Sequence, residues 1–258
     1  MEGVAHLNKV YKKAIQIVKK AGKLYYKKPY EVTPENNKYA NDVVTNNDVL
    51  TQQFLVKHLA KLLPNCDFIG EEKLNRSGNC EYVWIMDPID GTYNYTRNVE
   101  LYGTQVALQK NGRTVFSVLH LPALKQTYYA FDGKSYCNGK PIQTSSSDQA
   151  RSVVLNIYLH GKQKVPFTSE TLNNYLKNKK MRIFGSSLYD FALVASGKTD
   201  CILINSSSAW DIEPGLLLAQ NAGAKVLHLK EHHLMIVAGN NKILNDIEKN
   251  LKLIDPNN

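Results

Sequence analysis

The run Trp84-Ile85-Met86, followed at once by Asp87-Pro88-Ile89-Asp90-Gly91-Thr92, constrains this chain more than any other stretch. Three apolar residues read as the end of a buried strand, and two carboxylates follow where that strand leaves the core. Pro88 fixes one backbone angle between the acids, and Gly91 permits a turn that a side chain would obstruct. Two acids on a stiff loop at a strand end can share a divalent cation. The backbone N–H groups that follow could receive an anion, most of all if a helical turn starts there. An acidic surface turn would explain an isolated D-x-x-D-G equally well, so the rest of the chain has to decide.

Upstream, residues 4–26 place Val4, Leu7, Val10, Tyr11, Ala14, Ile15, Val18 and Ala21 at helical spacing, with lysines on the opposite face and Gly22 near the end. The segment from Lys27 to Tyr39, with Pro29 and Pro34, reads as an extended or mobile loop. A second helix carries Leu50, Phe54, Leu55, Leu59 and Leu62, and Thr45 with Asp48 resembles a capping box at its start. Phe68-Ile69-Gly70 is a short strand that stops at Glu71 and Glu72, a second apolar run ending in carboxylates. The largely polar stretch Leu74–Glu81 then leads into the Trp84 strand.

From Tyr102 the texture turns to strands at Tyr102–Leu108, Thr114–Leu121 and Gln126–Phe131, with Asn111-Gly112 as a hairpin signal and Cys137-Asn138-Gly139 as another turn. The polar linker Thr144–Asp148 divides an N-terminal α+β half, residues 1–145, from a C-terminal α/β half, residues 146–258. In the second half strands at Ser152–Leu159, Met181–Phe184, Cys201–Ile204, Lys225–Leu229 and Leu234–Val237 alternate with helices at Ser169–Lys177, Ser187–Ser196, Asp211–Ala222 and Asn241–Ile254. That alternation predicts a substantially parallel sheet. Asp211 follows Trp210 at a helix start, where an N-cap role would account for it.

Composition excludes several classes. No apolar run approaches the ~20 residues needed to span a bilayer, so no membrane partner is expected. The N-terminus lacks the order of a signal peptide. Four scattered cysteines suit reduced thiols in a cytoplasmic protein better than a disulfide framework. No His pair has zinc-site spacing, and each His reads as surface or satisfied core. The formal net charge of +9 favours an anionic partner, but the lysines are dispersed and no zinc-finger, RRM or KH signature accompanies them.

Five acids thus end elements: Asp48, Glu71, Asp87, Asp90 and Asp211. Together with the segments DVVTNND around Asp48, GEE at Gly70–Glu72, WIMDPIDGTYNY, CNG at Cys137–Gly139 and WDIEPGLLLAQNAGA from Trp210, the chain resembles the inositol monophosphatase family. The match spans nearly the whole chain in the family's order, and its two most specific elements lie about 120 residues apart.

The resemblance implies a layered αβαβα sandwich of the inositol monophosphatase and fructose-1,6-bisphosphatase type. It also implies a homodimer and Mg²⁺-dependent, lithium-sensitive hydrolysis of a small phosphate monoester. It assigns Glu71, Asp87 and the Ile89 carbonyl to one Mg²⁺, and Asp87, Asp90 and Asp211 to a second, with a weaker third ion near Glu71. Glu71, Thr92 and Asp48 would orient and deprotonate the attacking water, while Gly91 and Thr92 cradle the phosphate. Asp90, Gly185, Ser186, Ser187 and Asp211 would face the substrate. Lys38 and Glu72 are accessory candidates.

The chain departs from the family where the leaving group would lie. Inositol-specific members carry a Glu about six residues before the W-D tryptophan, and here the region reads Ile204-Asn205-Ser206. The glycine-rich G-A-F-C-N-G becomes Lys134-Ser-Tyr-Cys-Asn-Gly139, and the family's usual Phe at the end of the acidic turn becomes Tyr95. Substrate therefore stays open among inositol 1-phosphate, the 2′-phosphate of NADP, 3′-phosphoadenosine nucleotides and fructose 1,6-bisphosphate. A role outside catalysis, contacting RNA or a transcription complex as some bacterial relatives do, is the alternative from another class.

Overall fold

A computed structural model describes residues 2–33, 43–76, 80–157, 169–229 and 234–251. The N-terminal half opens with helix α1, Glu2–Tyr25, and a two-residue strand pair, β1 Val32–Thr33 with β2 Val44–Thr45. Helix α2, Asn46–Leu59, follows directly. Strands β3 Cys66–Gly70, β4 Leu74–Arg76 and β5 Tyr82–Asp90 come next, then the short helix α3, Thr92–Thr96. Strands β6 Gly103–Lys110, β7 Arg113–Leu121, β8 Gln126–Phe131, β9 Lys134–Cys137 and β10 Lys140–Pro141 complete an eight-stranded sheet in the order β10-β9-β8-β7-β6-β5-β3-β4. The Asn111-Gly112 and Asn138-Gly139 turns both have positive φ at both residues, which suits the twist of tight hairpins.

The C-terminal half holds β11 Ser152–Asn156, α4 Ser169–Leu176, β12 Lys180–Arg182, α5 Ser187–Ala195, β13 Cys201–Ile204, α6 Ala209–Asn221, β14 Lys225–Leu229, β15 Leu234–Ala238 and α7 Asn241–Asn250. Its five strands run in the order β12-β11-β13-β15-β14.

Side-chain alternation builds the layers. Trp84 and Met86 of β5, Val106 and Leu108 of β6 and Phe116 and Val118 of β7 meet α1 and α2 on one face of the large sheet. Leu119, Leu121, Tyr128 and Ala130 turn to the other face, against α5 and α6. Those two helices also receive Val154, Ile202, Ile204 and Val237 from the small sheet, while its opposite face packs on α4 and α7. The stack is αβαβα, the architecture the resemblance implied.

Four expectations need correction. The Trp84 strand does not end at Met86; β5 pairs with β6 through Asp87↔Gln105 and again at Asp90↔Gly103, with a register shift between them. The polar stretch after Gly70 contains β4, paired antiparallel with β3. The C-terminal sheet is mixed: β11 is parallel to β12 and β13, but β15 is antiparallel to both neighbours. Only four residues separate β14 from β15, too few for the crossover a parallel pair requires. Asp211 is not an N-cap. Helix α6 starts at Ala209 after Ser208, which puts Asp211 at the third helical position, inside the first turn.

Two close approaches fix the layers. A Cβ on Gly22 of α1 would lie 2.7 Å from the His120 ring on β7, so the glycine lets the helix settle on that imidazole. His120 is nearly buried, with Nδ1 3.0 Å from Thr127 Oγ1 and 3.2 Å from the Gln126 carbonyl oxygen. Between the sheets, a Cβ on Gly215 of α6 would overlap the Phe191 ring of α5. One turn before Gly215 stands Asp211, so this contact sets how near that acid comes to the start of α5.

Gly215→Ala should cost about 1–3 kcal/mol through overpacking. Melting should fall by about 2–4 °C for each kcal/mol, and Phe191→Leu in the same chain should recover part of the loss. An unchanged melting temperature in the single variant would contradict the packing argument.

Burial lowers the His120 pKa to about 4. The unfolded chain then binds the proton more readily, so stability is full above about pH 6.5 and falls as pH drops through about 4. Roughly 3 kcal/mol should be lost across that window. Urea titrations at pH 7 and pH 4.5 should show a smaller pH effect in His120→Gln than in the parent.

Candidate active site

The acids are brought together by strand register and by two helix starts. Parallel pairing aligns Gly70 of β3 with Met86 of β5, so Glu71, just past the end of β3, comes beside Asp87 of β5. Because Trp84 and Met86 face α1 and α2, alternation turns Asp87 toward the inter-sheet helices. Carboxylate oxygens of Asp87, Asp90 and Asp211 there lie within 4.8 Å of one another.

The three differ in spare bonding capacity. Asp87 is buried, and its Oδ1 has no hydrogen-bond partner among the described residues. A buried carboxylate oxygen left unmatched is costly unless a cation or proton meets it. Burial, then the charges of Glu71, Asp90 and Asp211, push the Asp87 pKa well above the ordinary carboxylate range. Glu71 is pushed the same way, by desolvation first and then by Asp211 and Glu72. The residue is nonetheless exposed at the surface. No proton sharing is needed once a divalent cation enters, and an all-oxygen donor set of this kind fits Mg²⁺.

Asp90 is the most committed. It accepts from Ser186 Oγ, from Ser187 N at 3.1 Å, from Ser187 Oγ at 2.9 Å and from Leu188 N at 2.9 Å. These donors come from the start of α5, in the other half of the chain, and fix how the carboxylate faces the cluster. The hydroxyls assigned to substrate by resemblance are thus spent on Asp90 in this structure. Asp211 accepts from Ser206 Oγ at 2.6 Å.

Beside the cluster, Thr92 Oγ1 is 2.8 Å from the Ile89 carbonyl oxygen and 3.2 Å from Asp48 Oδ1. One hydroxyl proton can serve only one of these acceptors at a time. Asp48 also accepts from Thr45 N at 2.8 Å and from the Thr45 hydroxyl, so capping and a place in the site coincide. Burial outweighs those bonds and raises the Asp48 pKa to about 6.

Gly91 has φ 79° and starts α3; a Cβ there would lie 3.0 Å from the Leu101 carbonyl oxygen and 3.2 Å from Ser186 Cβ. Gly185, at φ 70°, borders the same spot. Lys38 lies outside the described residues.

Three residues escaped the sequence reading. The Asn94 amide donates to the carbonyls of Leu101 at 2.9 Å and Phe184 at 2.8 Å, which ties α3 to the segment before α5. Its signal was in the motif, one residue beyond Thr92-Tyr93, but without an assigned task. Ser206 and Gln52 carried no such signal. The Tyr95 departure is internal to the fold: its buried hydroxyl accepts from Asn47 Nδ2 at 2.8 Å and donates to the Tyr25 carbonyl at 3.2 Å.

Comparison with known proteins agrees with this geometry. Residues 5–253 match the profile of the inositol monophosphatase family. The chain is 30% identical over 187 residues to a Thermotoga maritima protein described as fructose-1,6-bisphosphatase/inositol-1-monophosphatase, covering 72% of this chain and 71% of that one. It is 29% identical over 251 residues to a Pseudomonas aeruginosa protein described as Nus factor SuhB, covering 89% and 90%. A solved structure of an IMPase/NADP phosphatase complexed with Mg²⁺ and phosphate superposes with TM-score 0.73 at 26% identity, covering 86% of this chain and 87% of that one.

Removing the least satisfied charge should have two opposite effects. Asp87→Asn should melt higher than the parent without added metal, because a buried like-charge contact is relieved. The parent should gain roughly 2.7 kcal/mol at Mg²⁺ a hundredfold above its dissociation constant, about 5–10 °C in melting temperature. The variant should gain almost none, and an equal gain in both proteins would place the cation elsewhere.

Proposed function

The chain belongs to the inositol monophosphatase family, and from that premise we propose that it is a Mg²⁺-dependent hydrolase of small phosphate monoesters. The observation that carries the reading is the convergence of Asp87, Asp90 and Asp211 around an unmatched Asp87 oxygen, beside the Thr92–Asp48 pair. Glu71, Asp87 and the Ile89 carbonyl would hold one Mg²⁺; Asp87, Asp90 and Asp211 would hold a second, with Glu71 nearest a weaker third. Bound there, the ions would make a water nucleophilic at neutral pH and offset the charge of the phosphate and the departing alkoxide.

The protein's own groups do the rest. The Thr92 hydroxyl can donate its hydrogen bond to Asp48 in place of the Ile89 carbonyl, which leaves the Thr92 oxygen as acceptor for the attacking water. Glu71 would help orient that water and take up its proton. The first-turn N–H groups of α3 have no partner within the helix and would receive phosphate oxygens at Gly91 and Thr92. Gly185 leaves room for the leaving group, while Ser186 and Ser187 act through Asp90.

Two features bear on substrate. The leaving-group side, built from residues 204–206 and the start of α5, has no acid in the place where inositol-specific members carry one. The positive net charge also favours anions of more than one charge. We place NADP, 3′-phosphoadenosine nucleotides and fructose 1,6-bisphosphate beside inositol 1-phosphate for these reasons. Exposed Tyr93, Val99, Met181 and Ile183 support a homodimer, since Asn94 links the segments that carry them. Four free cysteines support a reducing, cytoplasmic setting, and no described helix is long and apolar enough to cross a membrane. Residues 1–145 and 146–258 act as two halves of one site.

An RNA-binding role is the second reading, favoured by a shallow groove where Lys12, Lys19, Lys20, Lys61 and Lys125 gather around α1.

A substrate panel scored for phosphate release should show turnover that requires Mg²⁺, falls at least about a hundredfold in Asp87→Asn and is inhibited by millimolar Li⁺. Equal release by parent and variant across the whole panel would refute the hydrolase. RNA retention at physiological salt without any turnover would favour the second reading.

A further inference from the structure

Gln52 lies on α2 one helical turn after Asp48, on the same face and nearly buried. Its side-chain amide makes two bonds to the backbone of a single residue in the turn after β3. Nε2 donates to the Glu72 carbonyl at 2.9 Å, and Oε1 accepts from the Glu72 N–H at 3.2 Å. Paired bonds to one residue restrain rotation as well as distance, much as a strand partner would. The turn closes through Lys73, at φ 54°, whose N–H donates to the Glu71 carbonyl at 2.7 Å.

Gly70 is what allows the amide in. A Cβ at that position would overlap Gln52 Oε1 and lie 3.2 Å from Gln52 Cδ and 3.3 Å from Met86 Cγ. The glycine has ordinary backbone angles, so close approach rather than conformation demands it. Glu71 stands between Gly70 and Glu72, and the turn sets where its side chain leaves the backbone. Helix α2 therefore acts as a ruler with two marks: Asp48 meets Thr92, and Gln52 meets the backbone that presents Glu71.

We propose that Gln52 is a positioning residue that sets the cation affinity of Glu71 by clamping the Glu72 backbone. The inference rests on the reading of Glu71 as a cation-holding residue. Residues that orient metal ligands typically change affinity 10–100-fold when removed. Gln52 does so at the main chain and touches neither cation nor substrate.

Gln52→Met keeps the length of the side chain and removes both bonds. Binding of Mn²⁺, read from the electron paramagnetic resonance of the free ion, should weaken about 10–100-fold. The Mg²⁺ concentration for half-maximal turnover should rise by the same factor, while kcat at saturating Mg²⁺ and KM for substrate stay within about twofold. Exchange of the Glu72 amide hydrogen should quicken. Gly70→Ala should reproduce the loss of affinity with Gln52 still present, which guards against a folding defect peculiar to one variant.

Mn²⁺ affinity unchanged in either folded variant overturns the inference and leaves the hydrolase reading intact. So does a fall in kcat that saturating Mg²⁺ does not restore, because that marks a direct or general role. A parent protein that binds no Mn²⁺ overturns both.

Discussion

Several like charges held within a few ångströms of one another, partly out of water, are what the structure has to accommodate. Asp87, Asp90 and Asp211 converge within 4.8 Å, Glu71 emerges beside Asp87, and Asp48 stands behind Thr92. Left alone, such a cluster raises its own pKa values and destabilises the fold. Asp48, Asp90 and Asp211 are therefore met by neutral donors with short reach: hydroxyls of Ser186, Ser187, Ser206, Thr45 and Thr92, and backbone N–H groups. Asp87 is the exception, and its unmatched oxygen marks where an external positive charge does most.

The same constraint explains why the two halves cannot be separated at the site. Asp90 comes from the large sheet, yet all its described partners start α5, nearly a hundred residues later. Asn94 repeats the link from α3 to the Phe184 carbonyl, and the Gly215–Phe191 contact sets α6 against α5. Layer packing and charge placement are thus one problem. Shifting α5 by the width of a methyl group would disturb Asp90 and the approach of Asp211 together.

Sequence made the acids visible because each sits at the edge of an apolar run, and such edges can be read from local pattern. It made the succession of helices and strands visible because their alternating signals survive without knowledge of contacts, whereas the αβαβα layering came from the family resemblance. What it could not show depends on which residues meet across the chain. Gln52 looks like any polar residue on a helix, and only the packing of α2 beside the turn after β3 brings the Glu72 backbone to it. Ser206 looked like part of a polar turn until α6 began two residues earlier than its Trp-Asp signature suggested. The antiparallel β15 was hidden for a related reason, since strand direction follows from loop length and pairing rather than composition.

Charge sign at two length scales gives the last step. The chain carries a formal net charge of +9, but the described donors to the site acids are neutral. Far from the site an anion is drawn in by the lysine-rich surface, within the ~8–10 Å over which salt leaves a field unscreened. Close to the acids the local potential is negative and would repel that anion. A protein that placed Lys or Arg there could bind phosphate without help, but it would hold the acids in ion pairs and spoil them as cation ligands. Neutral hydroxyl and amide donors hold the same geometry while preserving the negative charge. Under the proposed hydrolase reading, a phosphate would then fit beside these acids alongside divalent cations, which would couple substrate entry to a loaded metal site.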